Sequence, residues 1–144
     1  MDYKKYAAQC GCKNISYLFY TSELPINWRV RKCDCKFCLE RKNHIYCSDP
    51  NGYVDYDIKN LNKLKTYGHG TNTADFLVCD VCNSYMGAVM KNEKGIYTVI
   101  NLEYLIDQVR IPKIDKLNWQ DEDIQSRLSR RHKTWTPVKK YNVS

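Results

Sequence analysis

Seven of the eight cysteines in this 144-residue chain fall into three tight groups. Cys10-Gly11-Cys12 is a C-x-C pair, Cys33-Asp34-Cys35-Lys36-Phe37-Cys38 is a C-x-C-x-x-C triplet, and Cys79-Asp80-Val81-Cys82 is a C-x-x-C pair; Cys47 stands alone. Thiols at such spacing in a reducing compartment read as metal ligands first. Zinc is the expected ion, because it accepts thiolates in tetrahedral geometry and makes no redox demand. Iron–sulfur clusters also take four cysteines, but their customary spacings differ from these. Disulfides are the competing reading of an even cysteine count. Against them, neighbours in a C-x-C bridge each other poorly. The start, Met1 to Gln9, is polar and lacks the apolar core of a secretory leader, and no run reaches the length of a membrane span. A soluble cytoplasmic protein with reduced thiols is therefore expected.

Two pairs and a triplet suit two zinc ions. Cys10, Cys12, Cys79 and Cys82 make one closed four-thiolate site, which is structural because it offers no reactive position. Cys33, Cys35 and Cys38 would then hold a second ion with its fourth position open, the arrangement of catalytic zinc. Spacing leaves other partitions open: the triplet could pair with Cys79 or Cys82, and Cys47 could close the second site or be a buried free thiol.

The elements that must carry these ligands read as mainly β. Residues 13–20 are aromatic and β-rich and predict a strand, followed by a turn over Thr21 to Pro25. Ile26, Trp28 and Val30 alternate with polar neighbours and predict a strand running into Cys33, so that both C-x-C pairs sit at strand ends with their sulfurs on one side. A short strand is expected at His44 to Cys47, a turn at Ser48-Asp49-Pro50-Asn51-Gly52, and a strand over Tyr53 to Ile58. Leu61 to Tyr67 fits no single pattern, and Gly68 to Thr73 reads as a loop. Ala74 to Val78 leads a strand into the Cys79–Cys82 turn, and Tyr85 to Lys91 with Ile96 to Asn101 forms a hairpin. Beyond it, Glu103 to Gln108 predicts a helical turn and Pro112 to Asn118 an irregular stretch. An acidic start at Asp121-Glu122-Asp123 and a basic end at Arg127, Arg130, Arg131 and His132 predict a helix over 121–132, its Ile124 and Leu128 facing the sheet. Trp135 to Val138 is expected to be extended, with a loose basic tail over 139–144. The whole is one domain with its core over about 8–138.

The chain carries +7 with neutral thiols. Seven zinc-bound thiolates and two zinc ions would bring it to about +4. Around the triplet, Arg29, Arg31, Lys32, Lys36, Arg41 and Lys42 outnumber Asp34 and Glu40. They would attract an anionic thiol and lower thiol pKa values, or simply solvate a strand edge. His44 and His69 are candidate proton carriers, though a surface or packed histidine is the commoner role. The basic tail with Trp135 and Tyr141 could hold nucleic acid; lacking a recognised module, it reads better as a helix end with favourable charges. No membrane partner is expected.

The order C-x-C, C-x-C-x-x-C, C-x-x-C resembles the glutathione-dependent formaldehyde-activating enzyme family, which includes centromere protein V. The resemblance extends to Ser48-Asp49-Pro50-Asn51-Gly52, to Thr73-Ala74-Asp75-Phe76, and to Arg127-Leu128, Arg130-Arg131 and Trp135-Thr136-Pro137, which are similar to a bacterial branch. It implies a β-tent fold of several small antiparallel sheets around zinc, with Cys10, Cys12, Cys79 and Cys82 structural and Cys33, Cys35 and Cys38 catalytic. The implied activity is that of a carbon–sulfur lyase joining glutathione, or a similar thiol, to formaldehyde or another small aldehyde. Two departures stand out. Asp80-Val81-Cys82-Asn83-Ser84 lacks the glycine common in that turn, and Leu39 to Asn43 lacks the usual small residues. A non-catalytic zinc-stabilised module that uses its basic face for a protein or nucleic-acid partner is the competing function.

Overall fold

The computed structural model describes residues 2–33, 45–68, 74–106, 109, 111, 114–117 and 124–143. Among these residues it is mainly β with one short helix. The strands are β1 (Lys4–Gln9), β2 (Ile15–Thr21), β3 (Val30–Cys33), β4 (Tyr46–Cys47), β5 (Tyr53–Ile58), β6 (Leu64–Gly68), β7 (Asp75–Cys79), β8 (Tyr85–Asn92), β9 (Gly95–Asn101), β10 (Ile114–Leu117) and β11 (Thr136–Val143). Helix α1 spans Ile124–Thr134.

Hydrogen bonding links the strands in the order β1-β2-β5-β11-β9-β4-β3-β10, and β9 also continues through β8 and β7 to β6. Strand β11 joins the two halves. Its Thr136 and Pro137 pair antiparallel with Thr98 and Tyr97 of β9. After a register shift between Val138 and Lys140, the rest runs parallel to β5. A second parallel pair joins β10 to β3, with Leu117 opposite Cys33. The expected mainly β fold with a short C-terminal helix is thus present, its strands linked in a branched, mixed sheet. Strands distant in sequence close it, and long crossovers allow them to run parallel.

Period-2 alternation builds the core. Ile15, Tyr17, Phe19 and Thr21 of β2 face inward, as do Val54, Tyr56 and Ile58 of β5. Cross-strand register sets Tyr17 beside Tyr56 and Phe19 beside Val54. The two buried hydroxyls find partners: Tyr17 Oη donates to Asn101 O at 2.7 Å, and Tyr56 Oη bonds Thr98 Oγ1 at 2.7 Å. Burial holds both phenols well above their ordinary pKa, so both remain neutral.

Several expectations are corrected. The strand into Cys33 begins only at Val30, because Pro25 starts a 3-10 turn over Pro25–Asn27 that leaves Ile26 exposed. Polar residues before Cys10 form strand β1, whose Tyr6 and Ala8 alone face the core. The stretch after Pro112 includes β10, and the helix ends at Thr134. Instead of a loose tail, residues 139–143 continue β11: Tyr141 packs edge-on to Tyr56, and Lys139 Nζ lies 3.9 Å from the Tyr53 ring centre. The Gly68 to Thr73 loop and the helix start at 121–123 fall largely outside the described residues.

The Ser48–Gly52 turn latches the halves together. Asp49 Oδ2 accepts from Thr21 Oγ1 of β2 at 2.6 Å, while the Asp49 amide donates to Thr136 Oγ1 of β11 at 2.8 Å. Ser48 Oγ donates to Thr134 O at the end of α1. Gly52 is buried, and a methyl group there would collide with the Tyr20 carbonyl. Gly52→Ala is expected to cost about 1–3 kcal/mol, since rigid backbone must shift. Thermal unfolding measures this as a drop of several degrees.

Candidate metal centre

Two turns bring four thiols together. In the first, Cys10 follows the last residue of β1. Its amide donates to Ile15 O at 2.9 Å, and the Lys13 amide donates to Cys10 O at 2.9 Å. Lys13 takes a left-handed backbone with φ 68°. In the second, Cys79 ends β7, its amide donates to Ser84 O at 2.9 Å, and the Asn83 amide donates to Cys79 O at 2.9 Å. Asn83 is left-handed too, at φ 59°, a conformation asparagine tolerates better than most residues. Each turn therefore reverses the chain just past its second cysteine. The two sulfurs of the C-x-C share a side because of this turn, and not through strand alternation as expected.

All four Sγ atoms, of Cys10, Cys12, Cys79 and Cys82, lie within 4.8 Å of one another. Cys10 and Cys12 are 3.8 Å apart and Cys12 and Cys79 are 3.3 Å apart. Four sulfurs bound tetrahedrally at about 2.3 Å from one ion would stand about 3.8 Å apart, so the quartet fits a zinc-sized cation. Among the described residues it is the group of three or more potential ligands that could hold a metal. The sulfurs are supported from outside the quartet. The Ile15 amide points at Cys10 Sγ at 3.3 Å, and Ser84 Oγ lies 3.1 Å from Cys82 Sγ.

Protonation follows from this packing. Burial raises the Cys10 thiol, and its neighbours Cys82 and Cys12 raise it further. Burial pushes Cys79 up to about 12 despite the amides of Cys82 and Val81. Cys82 is also desolvated, but the Ser84 hydroxyl and the amides of Cys12 and Ser84 outweigh this and bring it down to about 6. Without a cation, neighbouring thiolates repel too strongly to ionise together.

Residues not singled out from sequence also shape the site. The Asp80 amide donates to Lys63 O at 2.7 Å, and Lys65 Nζ pairs with Asp80 at 2.9 Å, docking the start of β6 on the second turn. That ion pair is about half exposed and contributes little by itself. Of these features, Asn83 alone left a signal in the sequence, as a left-handed-tolerant residue just past a metal-binding turn.

The remaining sequence-derived residues are placed only in part. Cys33 is the last residue of β3. Cys35, Cys38, His44 and His69 lie outside the described residues. Cys47 is buried in the principal apolar core, and burial pushes its thiol up to about 12. Arg29 and Lys32 are exposed, whereas Arg31 is half-buried and donates to Ser48 Oγ at 2.8 Å. No helix among the described residues is long and apolar enough to cross a membrane.

No family model matches the chain, and no curated protein matches it. Among solved structures, a Rhodobacter sphaeroides protein, Northeast Structural Genomics target RhR83, superposes with a TM-score of 0.55 at 17% sequence identity. The match covers 77% of this chain and 99% of that one. The likeness is one of fold.

The protonation states set a pH dependence. At neutral pH Cys10 and Cys79 carry protons that a metal must displace. Apparent zinc affinity is therefore expected to rise steeply with pH, by about tenfold per unit for each proton released, Cys10 and Cys79 among the sources. Below about 6 the slope steepens, as Cys82 also takes up a proton. Competition with a chromophoric chelator at several pH values measures the slope.

Proposed function

We propose that this chain is a two-zinc carbon–sulfur lyase that joins glutathione, or a similar thiol, to formaldehyde or another small aldehyde. The observation that carries this reading is the self-sufficiency of the quartet: Cys10, Cys12, Cys79 and Cys82 supply four sulfurs to one point. A structural ion there leaves Cys33, Cys35 and Cys38 for a second purpose. Cys47 supports an open second site, since a thiol sunk in the apolar core behaves as a buried free cysteine. The order of the cysteine groups along the chain adds the resemblance to the formaldehyde-activating family.

In this scheme Cys33, Cys35 and Cys38 hold the second ion. Bound there, zinc supplies a Lewis acid able to keep an incoming thiol deprotonated at neutral pH. The chemistry is an addition: the substrate sulfur forms a bond to the aldehyde carbon, the C=O π pair moves to oxygen, and that oxygen takes up a proton. The thiol's own proton balances the equation, leaving an S-hydroxymethyl thioether and no by-product. Water, His44 or His69 carries the proton. Residues of β3 and β10, paired in parallel up to Cys33 and Leu117, fix where the triplet begins.

Elemental analysis of chelator-free protein is expected to give about two zinc ions per chain, one of them labile to mild chelation. Cys12→Ser should unfold the domain or sharply lower its melting temperature. Cys35→Ser should keep the fold and the tight ion but lose the labile one, together with any acceleration of glutathione–formaldehyde adduct formation. Equal adduct rates with wild type, Cys35→Ser and no protein would refute the lyase reading and leave a zinc-stabilised module.

A further inference from the structure

The four sulfurs of the metal centre are not equivalent. Cys10 and Cys79 are buried, at 1% and 0% exposure, and Cys82 is half-buried. Cys12 is exposed, and so are Gly11 and Lys13 on either side of it. Hydrogen bonding divides the sulfurs in the same way. The Ile15 amide points at Cys10 Sγ at 3.3 Å. The amides of Cys82 and Val81 reach the Cys79 sulfur. Cys82 has the Ser84 hydroxyl at 3.1 Å together with the amides of Cys12 and Ser84. Cys12 Sγ has only sulfur beside it among the described residues, Cys10 at 3.8 Å and Cys79 at 3.3 Å.

These differences set reactivity. A closed four-thiolate centre leaves no open position on the ion, yet each sulfur keeps lone pairs that an electrophile from solvent can meet. An N–H or O–H aimed at a thiolate draws charge from it and makes it less nucleophilic. Oxidation of cysteine follows thiolate character and exposure, and it yields a disulfide where a second cysteine stands ready. Cys12 combines exposure, no such donor and a near neighbour. Of its two neighbours, Cys10 is poorly suited, because the cysteines of a C-x-C bridge each other badly. Cys79 lies closer, 67 residues away along the chain. A bond between Cys12 and Cys79 would join the β1–β2 turn to the β7–β8 turn, the same two turns that a shared metal would hold.

We propose that Cys12 is an oxidation site for hydroperoxides, with Cys79 as its resolving partner, so that a disulfide can take over the crosslink of the metal centre. The Cys12 thiolate attacks one oxygen of hydrogen peroxide: the S–O bond forms, the O–O bond breaks, and hydroxide leaves. The Cys79 thiolate then attacks the Cys12 sulfur, forming the S–S bond and expelling the second oxygen as hydroxide. Two thiolates are oxidised, one peroxide is reduced by two electrons, and one disulfide and two hydroxides result. With two of four sulfurs consumed, the remaining pair, Cys10 and Cys82, no longer makes a tetrahedral set. The chain would lose its ion without losing the tie between distant strands, and a dithiol would restore the quartet. The inference rests on a metal at the quartet and is independent of the lyase reading and of the second ion.

The test begins with protein supplied with zinc and cleared of weakly held ion by mild chelation. Hydrogen peroxide is added while a chromophoric chelator reports release, and the non-reduced peptides are mapped by tandem mass spectrometry, which separates Cys10 from Cys12 and Cys79 from Cys82. Release of the tight ion in step with a Cys12–Cys79 disulfide is expected, and dithiothreitol with added zinc should reverse both. The oxidised protein should melt above reduced protein stripped of its metal. Cys12→His keeps a zinc ligand but removes the sulfur, and should slow peroxide-driven release at least tenfold. Cys47→Ser should release zinc as wild type does. In wild type alone, first oxidation at Cys10, Cys79 or Cys82, or a disulfide other than Cys12–Cys79, would overturn the proposal. So would equal release rates in wild type and Cys12→His. A protein that takes up no tight zinc before peroxide is added would overturn the metal centre and this step with it.

Discussion

Four sulfurs held within 4.8 Å of one another are the constraint on which the rest of the molecule turns. Such a cluster is self-repelling when ionised and buried when protonated, and a cation resolves both difficulties. Its ligands come from the β1–β2 turn and the β7–β8 turn, and Cys12 and Cys79 are 67 residues apart. A metal there closes a long loop and holds β1-β2-β5 against β6-β7-β8. For a domain of this size, a crosslink between distant parts of the sheet is worth more than any one apolar contact.

The second fastening is polar. Asp49 ties Thr21 of β2 to Thr136 of β11, and Ser48 ties the end of α1 to Arg31 of β3. One turn thus touches both halves of the branched sheet at the point where β11 passes from β9 to β5. Gly52 is required there because the Tyr20 carbonyl occupies the space a side chain would need. The latch also explains how Arg31 comes to be turned inward, away from the solvated role its neighbours Arg29 and Lys32 keep. Charge placement near the end of β3 is therefore a consequence of the fold's closure, and it leaves positive potential beside the strand that leads into the triplet.

Much of this was legible in the chain. Cysteine spacing favoured Cys10 and Cys12 with Cys79 and Cys82, two short-spaced pairs that make one tetrahedral set, while leaving other partitions open; the fold brings these four together. Aromatic, β-rich composition marked β2, alternation marked β5, and Asn92-Glu93-Lys94-Gly95 marked the β8–β9 hairpin, since hairpins are local and their turn chemistry is explicit. Polar β1 was not legible, because only two of its six side chains are buried. The tail beyond Val138 read as loose for a similar reason. Lys139 lies over the Tyr53 ring, and the backbone of the tail is satisfied by a strand some 80 residues earlier.

What the sequence determined by itself was the chemistry at hand: seven clustered thiols, a basic surround, and strands to carry them. Tertiary structure decided the arrangement. It made the C-x-C a turn with Lys13 in left-handed backbone, ran β11 parallel to β5 and β10 parallel to β3, sank Cys47 in the core, and set Arg31 beside Arg130. The division has a physical cause. Ligand type and side-chain period are local properties. Strand partners, strand direction and buried charge depend on contacts between residues far apart in the chain, where a period of two says which face is apolar but not what will cover it.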